Sequence, residues 1–151
     1  MKLTDEYEMS EWAYNQCLNK NDTIQNRRLI TNSWWVYLYC RFIKDREEVW
    51  KKITESVYAY DYCYYITDRE EVWRKITDPY WAYCYCLNIK DREEVWKKIT
   101  ESVDAYYYCT NVKDREEVWN KITSSYWAHW YCRDVKDRPE VRRYIKDETN
   151  K

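Results

Sequence analysis

"IKDREEVWKKITES" occupies residues 43–56 and returns letter for letter at residues 89–102. Fourteen identical residues 46 positions apart mark a duplicated unit, and internal repetition decides the fold before any local propensity does. Rows of 23 residues align the chain without an insertion from about residue 10 onward. Cysteines then fall at 17, 40, 63, 86, 109 and 132, aspartates at 22, 45, 68, 91, 114 and 137, and isoleucines at 30, 53, 76, 99, 122 and 145. The 46-residue identity is a doubling of two 23-residue units. Repeats 43–65 and 89–111 carry "TESV", whereas 66–88 and 112–134 carry "TDPYW" and "TSSYW".

Each unit reads as two short helices. In "DREEVWKKI", Asp45 takes the N-cap and Glu48, three residues on, completes a capping-box pattern. Glu47–Lys51 and Glu48–Lys52 are i,i+4 pairs in the favourable order. Val49, Trp50 and Ile53 form the apolar stripe. Asp78-Pro79 starts the second helix, with a cap and a proline at the first helical position, and Glu55 and Ser124 hold the place of Asp78. On that helix Ala59, Cys63 and Ile66 share one face, as do Ala82, Cys86 and Ile89, and Ala128, Cys132 and Val135. Tyr60 and Tyr62 flank this stripe. Helices this short are marginal in isolation, so neighbours must stack to bury a core.

The predicted class is therefore all-α. Residues 1–151 read as a single α-solenoid domain of about six two-helix repeats with atypical capping ends. An N-cap helix spans 3–19, repeats follow at 20–42, 43–65, 66–88, 89–111 and 112–134, and a C-cap helix spans 135–147. At the first end Asn26 and Arg27 replace the Val and Trp of the repeat, and at the last Arg142 and Arg143 replace Trp and Lys.

Composition narrows the function. The 151 residues include 26 Lys plus Arg against 27 Asp plus Glu, a net charge of −1, which supplies no field for nucleic acid or an anionic membrane. Glycine is absent, which removes the glycine-rich phosphate loops. No secretory segment or membrane-spanning apolar run is evident, so the expectation is a soluble, cytoplasmic protein without a membrane partner.

The candidate chemistry reads mostly as packing. Six of the seven cysteines hold one core column, and stacked helices about 8–10 Å apart place them beyond disulfide reach. Cys84 lies off that column and reads as an exposed thiol. His129, the single histidine, stands where other repeats have Tyr14, Tyr37, Tyr60, Tyr83 and Tyr106, and no catalytic arrangement assembles around it. The expectation is no catalytic residue, no metal and no cofactor.

Segments such as "YWAHWYCRDVKDRPEVRRYI" (126–145) and "YWAYCYCLNIKDREEVWKKI" (80–99) resemble the short tandem repeats, of W-A-Y-x-Y-A/C type, in proteins of large tailed phages and giant viruses. In that family the Cys position is often Ala, and Trp-Pro-Glu stands where this chain has Arg-Glu-Glu. The resemblance covers about residues 10–145. It implies a helical-repeat fold and a phage or viral source, hence the cytoplasm of a host cell, and it carries no catalytic residue.

The informative columns are those that vary. On the second helices they are Trp34, Leu38, Arg41; Val57, Asp61, Tyr64; Tyr80, Cys84, Leu87; Val103, Tyr107, Thr110; and Tyr126, Trp130, Arg133. These stand at i, i+4 and i+7 on one face. Drift on a solvated face delivers Lys, Glu, Ser and Asn, yet this one is largely aromatic or aliphatic with arginine. Such residues anchor partners. The predicted partner-binding set is Trp34, Leu38, Arg41, Tyr64, Tyr80, Leu87, Tyr107, Tyr126, Trp130 and Arg133. The leading expectation is a scaffold that binds a protein, given the resemblance a host protein such as a defence component. Two alternatives stand beside it. One is single-stranded nucleic-acid or nucleotide binding by base stacking; the other is self-assembly into a homo-oligomer, with the face buried against a second copy.

Overall fold

The structure is a computed structural model that describes residues 5–146. The described residues form twelve helices and no strand: α1 (Glu6–Leu18), α2 (Ile24–Leu29), α3 (Ser33–Phe42), α4 (Glu47–Trp50), α5 (Ser56–Tyr65), α6 (Glu70–Trp73), α7 (Pro79–Asn88), α8 (Glu93–Trp96), α9 (Ser102–Asn111), α10 (Glu116–Trp119), α11 (Ser125–Asp134) and α12 (Pro139–Arg142). The expected helix start at residue 3 and helix end at 147 lie outside the described residues. The C-terminal helix is a single turn, Pro139–Arg142, shorter than the expected span.

The chain divides into two compact units, Met1–Ile76 and Thr77–Lys151. In the first, α1 packs on α2 and α3, α3 on α4 and α5, and α5 on α6. In the second, α7 packs on α8 and α9, α9 on α10 and α11, and α11 on α12. Each is a run of long–short helix pairs repeating every 23 residues, the all-α repeat architecture of a solenoid.

The short helix differs from the capping-box reading. It is one turn, begins at Glu47 rather than after Asp45, and its N-cap residue Arg46 makes no side-chain cap bond. Asp45 is drawn elsewhere. Its Oδ1 accepts from the Tyr62 hydroxyl at 2.7 Å and its Oδ2 from the Arg69 guanidinium at 2.8 Å, while Arg69 Nε donates to the same hydroxyl at 2.6 Å. The same three-way seam joins Asp22, Tyr39 and Arg46 in the first unit. In the second it joins Asp91, Tyr108 and Arg115, and again Asp114, Tyr131 and Arg138. Each seam ties one repeat to the first residues of the next. The arginine also lies over a buried tryptophan, 5.4 Å from the Trp50 ring centre for Arg69 and 5.0 Å from Trp119 for Arg138.

This seam explains a second difference. Tyr62 does not flank the core; Tyr39, Tyr62, Tyr85, Tyr108 and Tyr131 are all completely buried. A buried phenol needs a partner for its hydroxyl, and the carboxylate supplies one. Ala59 and Cys63 are buried as expected, but Ile66 is the C-cap of α5 and only half-buried. Val49, Trp50 and Ile53, with their counterparts, fill the rest of the core.

Polar side chains finish the turns. Glu47 pairs with Lys51 as expected, but Glu48 pairs with Arg27 at 3.1 Å, and among the described residues no ion pair joins it to Lys52. The Lys52 ammonium caps the carbonyls of Arg27 at 2.7 Å and Ile30 at 2.9 Å, closing the end of the preceding short helix. The hydroxyls of Ser10, Ser33, Ser102 and Ser125 accept a backbone N–H 21 residues ahead, at 2.9–3.0 Å. Asn26 and Arg27, which replace Val and Trp in the first repeat, find local acceptors: Asn26 donates to the Asn21 carbonyl, and Arg27 to the carbonyl and carboxylate of Asp22.

Candidate partner-binding face

The long helices hold the candidate face because their Ala and Cys positions turn inward, leaving the i, i+4, i+7 columns outside. Of the ten predicted residues, Arg41, Tyr64, Tyr80, Leu87, Tyr107, Tyr126 and Arg133 are exposed, Tyr126 by 60%. Trp34, Leu38 and Trp130 are half-buried.

In the first unit Trp34 contacts Tyr37 and Tyr58, with ring centres 5.9 and 5.7 Å apart. Arg41 donates to the Tyr37 hydroxyl and places its guanidinium 4.2 Å from the centre of Tyr65. Tyr65 meets Tyr64 edge-on at 4.8 Å, and Tyr64 stacks on Tyr60 at 5.8 Å. Arg41 and Tyr64 therefore belong to one connected patch through Tyr65, a residue outside the predicted set.

In the second unit the aromatic run is continuous. Tyr107 stacks near Tyr83 at 6.1 Å and contacts Trp127 at 5.6 Å; Trp127 meets Tyr126 at 4.9 Å, and Tyr126 meets Trp130 at 6.1 Å. Arg133 closes the run with its guanidinium 3.7 Å from the Trp130 ring centre, held by a 2.5 Å ion pair to Asp134. Tyr80 lies against Trp81 at 5.2 Å.

Trp127 is the residue that sequence reasoning missed. It belongs to the column of Trp12, Trp35, Tyr58 and Trp81, aromatic in five of six long helices, which sits one position beyond the chosen face and bridges it. That recurrence was visible in the 23-residue rows.

The fifth member of the column is Asp104, 5% exposed. No hydrogen bond or ion pair among the described residues reaches its carboxylate. Burial raises its pKa, and repulsion from Asp78 and Glu101 adds to the effect. Asp61 is likewise raised by burial, opposed by Arg41. Cys84 is half-buried rather than exposed, and burial raises its thiol. All seven cysteines are free thiols, and no group of His, Cys, Asp and Glu able to hold a metal occurs among the described residues.

His129 is exposed and lines a cavity of about 590 Å³ with Cys132, Arg133, Arg142 and Ile145. Arg142 there is paired with Asp137. No described helix is long and apolar enough to cross a membrane. Compared with known protein families, with curated proteins and with solved structures, the chain matches none.

Proposed function

We propose that the chain is a non-enzymatic repeat scaffold that holds a protein partner on the aromatic face of its long helices. The observation that carries this reading is the surface run Tyr107–Trp127–Tyr126–Trp130–Arg133, exposed at Tyr107, Tyr126 and Arg133 and half-buried at its two tryptophans. Five contiguous side chains of the types that dominate binding hot spots stand at a surface, where an unused face would carry solvated polar residues. Trp and Tyr bury large area at low conformational cost, and Arg133 is pre-set over Trp130 by its ion pair. The resemblance to phage and giant-virus repeats makes a host protein, such as a defence component, the proposed partner, met in the host cytoplasm. Nucleic acid is the weaker reading, because a net charge of −1 releases few counterions on binding.

Affinity capture from lysate of the native host tests this. A specific protein should co-purify, and the double variant Trp130→Ala/Tyr80→Ala should lower its recovery at least tenfold. Full recovery on the double variant removes the face as the site, and recovery that disappears on nuclease treatment favours nucleic acid.

A further inference from the structure

A cavity of about 400 Å³ opens in the first unit, lined by Tyr7, Asn32, Trp34, Glu55 and Tyr58. That volume lies within the range of about 300–1,000 Å³ typical of small-ligand sites. Three of its five lining residues are aromatic and one is a carboxylate. From this geometry we infer that it is an aromatic cage for an alkylated ammonium group, of the kind a methylated lysine side chain of the protein partner carries.

The walls come from three helices. Trp34, in the first turn of α3, and Tyr58, in the first turn of α5, have ring centres 5.7 Å apart and planes inclined at 47°, so they form a corner rather than a closed stack. Tyr7 of α1 supplies the third ring and is anchored by Trp35, 5.5 Å away. Asn32 fixes the corner from below: its side-chain oxygen caps α3 by accepting from the Trp34 N–H at 3.2 Å. A ring face carries negative charge density, so three rings around one space favour a cation, most of all one too bulky and too weakly hydrated to prefer water.

Glu55 gives the cage its sign. It occupies the N-cap position of α5 but makes no side-chain cap bond, and no ion pair or hydrogen bond among the described residues engages its carboxylate. It is exposed at the mouth, free to meet a cation. Burial, with the nearby Glu55 and Asp61 carboxylates, also raises the Tyr58 hydroxyl, so the surroundings of the cage are anionic. An anion or a phosphate finds no cationic side chain in this lining. The cavity beside His129 has the opposite character, with Arg133 and Arg142 already paired to carboxylates.

The inference rests on the reading of the long-helix face as a protein contact, since Trp34 belongs to both. The probes, however, need no partner. Choline, Nε-trimethyllysine amide and the neutral choline isostere 3,3-dimethylbutan-1-ol are titrated into the full chain, and the tryptophan indole N–H signals are followed by NMR. Both cations should shift the Trp34 signal saturably, trimethyllysine amide more tightly than choline, and the neutral isostere five- to tenfold more weakly. Glu55→Gln should weaken cation binding three- to tenfold while leaving the isostere unchanged, and Trp34→Ala should abolish saturable binding. Equal binding of choline and its isostere, or no loss with Glu55→Gln, overturns the cage. Tighter binding of choline than of trimethyllysine amide overturns the lysine side chain as its occupant. Failure here with partner capture still sensitive to Trp130→Ala/Tyr80→Ala sinks the cage alone. Cation binding in a chain that captures no protein sinks the scaffold reading alone.

Discussion

The Tyr62 hydroxyl, completely buried, donates to the Asp45 carboxylate at 2.7 Å across 17 residues of chain. Because Arg69 bonds both groups, the three side chains act as one joint between successive repeats. Repeat proteins gain cooperativity from such interfaces between neighbours. Tyr62→Phe removes a hydrogen bond to a charged acceptor and should cost about 1.5–3 kcal/mol in urea unfolding. Asp45→Ala should cost at least as much, since it strands a buried hydroxyl. The double variant should cost less than the sum of the two by about 0.5–3 kcal/mol. Strict additivity would mean that the groups do not work as a unit.

The physical reason this joint escaped the sequence reading is that a capping box and a long-range seam use the same letters. Asp45 with Glu48 satisfies the local pattern, yet the helix starts two residues beyond Asp45 and the carboxylate reaches a partner 17 residues on. The apolar columns were legible because burial selects Ala, Val and Ile directly: Ala59, Val49 and Ile53 are fully buried. Tyr62 was not, because an amphipathic ring suits either side of a boundary and its choice depends on whether the hydroxyl finds a partner. The face was legible in its exposed members, such as Tyr126 and Tyr107. The bridging role of Trp127 emerged only from ring-to-ring distances.

Asp104 stands where the other long helices carry Trp or Tyr, and its surroundings are hostile to charge. Asp78 and Glu101 are close enough to repel it, and Tyr80, Tyr83 and Cys84 of α7 are the other titratable groups that feel it. In the unfolded chain the carboxyl ionises near pH 4. Between that value and its raised folded value, the native state keeps a proton that the unfolded state has lost. Stability must therefore fall as pH rises through this window, and the full penalty persists above it. Asp104→Asn removes the titration. It should stabilise the protein by about 1–3 kcal/mol at neutral pH, with the advantage vanishing below about pH 4. An unchanged difference between variant and parent across that range would contradict the assignment.

Lys20 is the single described residue with a left-handed backbone, at φ 69°. It follows α1, and the chain turns back there with the Asn21 N–H bonded to the Gln16 carbonyl at 3.0 Å. This is the helix ending that glycine ordinarily supplies, in a protein that contains none. A side chain at such a position costs about 1 kcal/mol relative to glycine. Lys20→Gly should therefore raise the denaturation midpoint, by about 0.5–1 kcal/mol in stability, whereas Glu11→Gly, at an exposed position inside α1, should lower it by a similar amount. A destabilising Lys20→Gly would show that the lysine side chain contributes more than its backbone strain costs.

The thiols offer a test of packing that needs no unfolding transition. Burial pushes Cys17 up to about 11, and Cys40, Cys86 and Cys109 up to about 12. At pH 8 a thiol of pKa about 11 is ionised in about one molecule in a thousand, and the thiolate is the reactive form. Inaccessibility slows these four further. Cys84 and Cys132 are only half-buried. Native protein treated with an aromatic disulfide reagent at pH 8 should release its fast phase from these two positions, and Cys84→Ser/Cys132→Ser should remove that phase. Full denaturant should then expose all seven thiols of the parent chain at once. Persistence of the fast phase in the double variant would mean that the core column opens on the timescale of the reaction, and that the interfaces between repeats are looser than the seams imply.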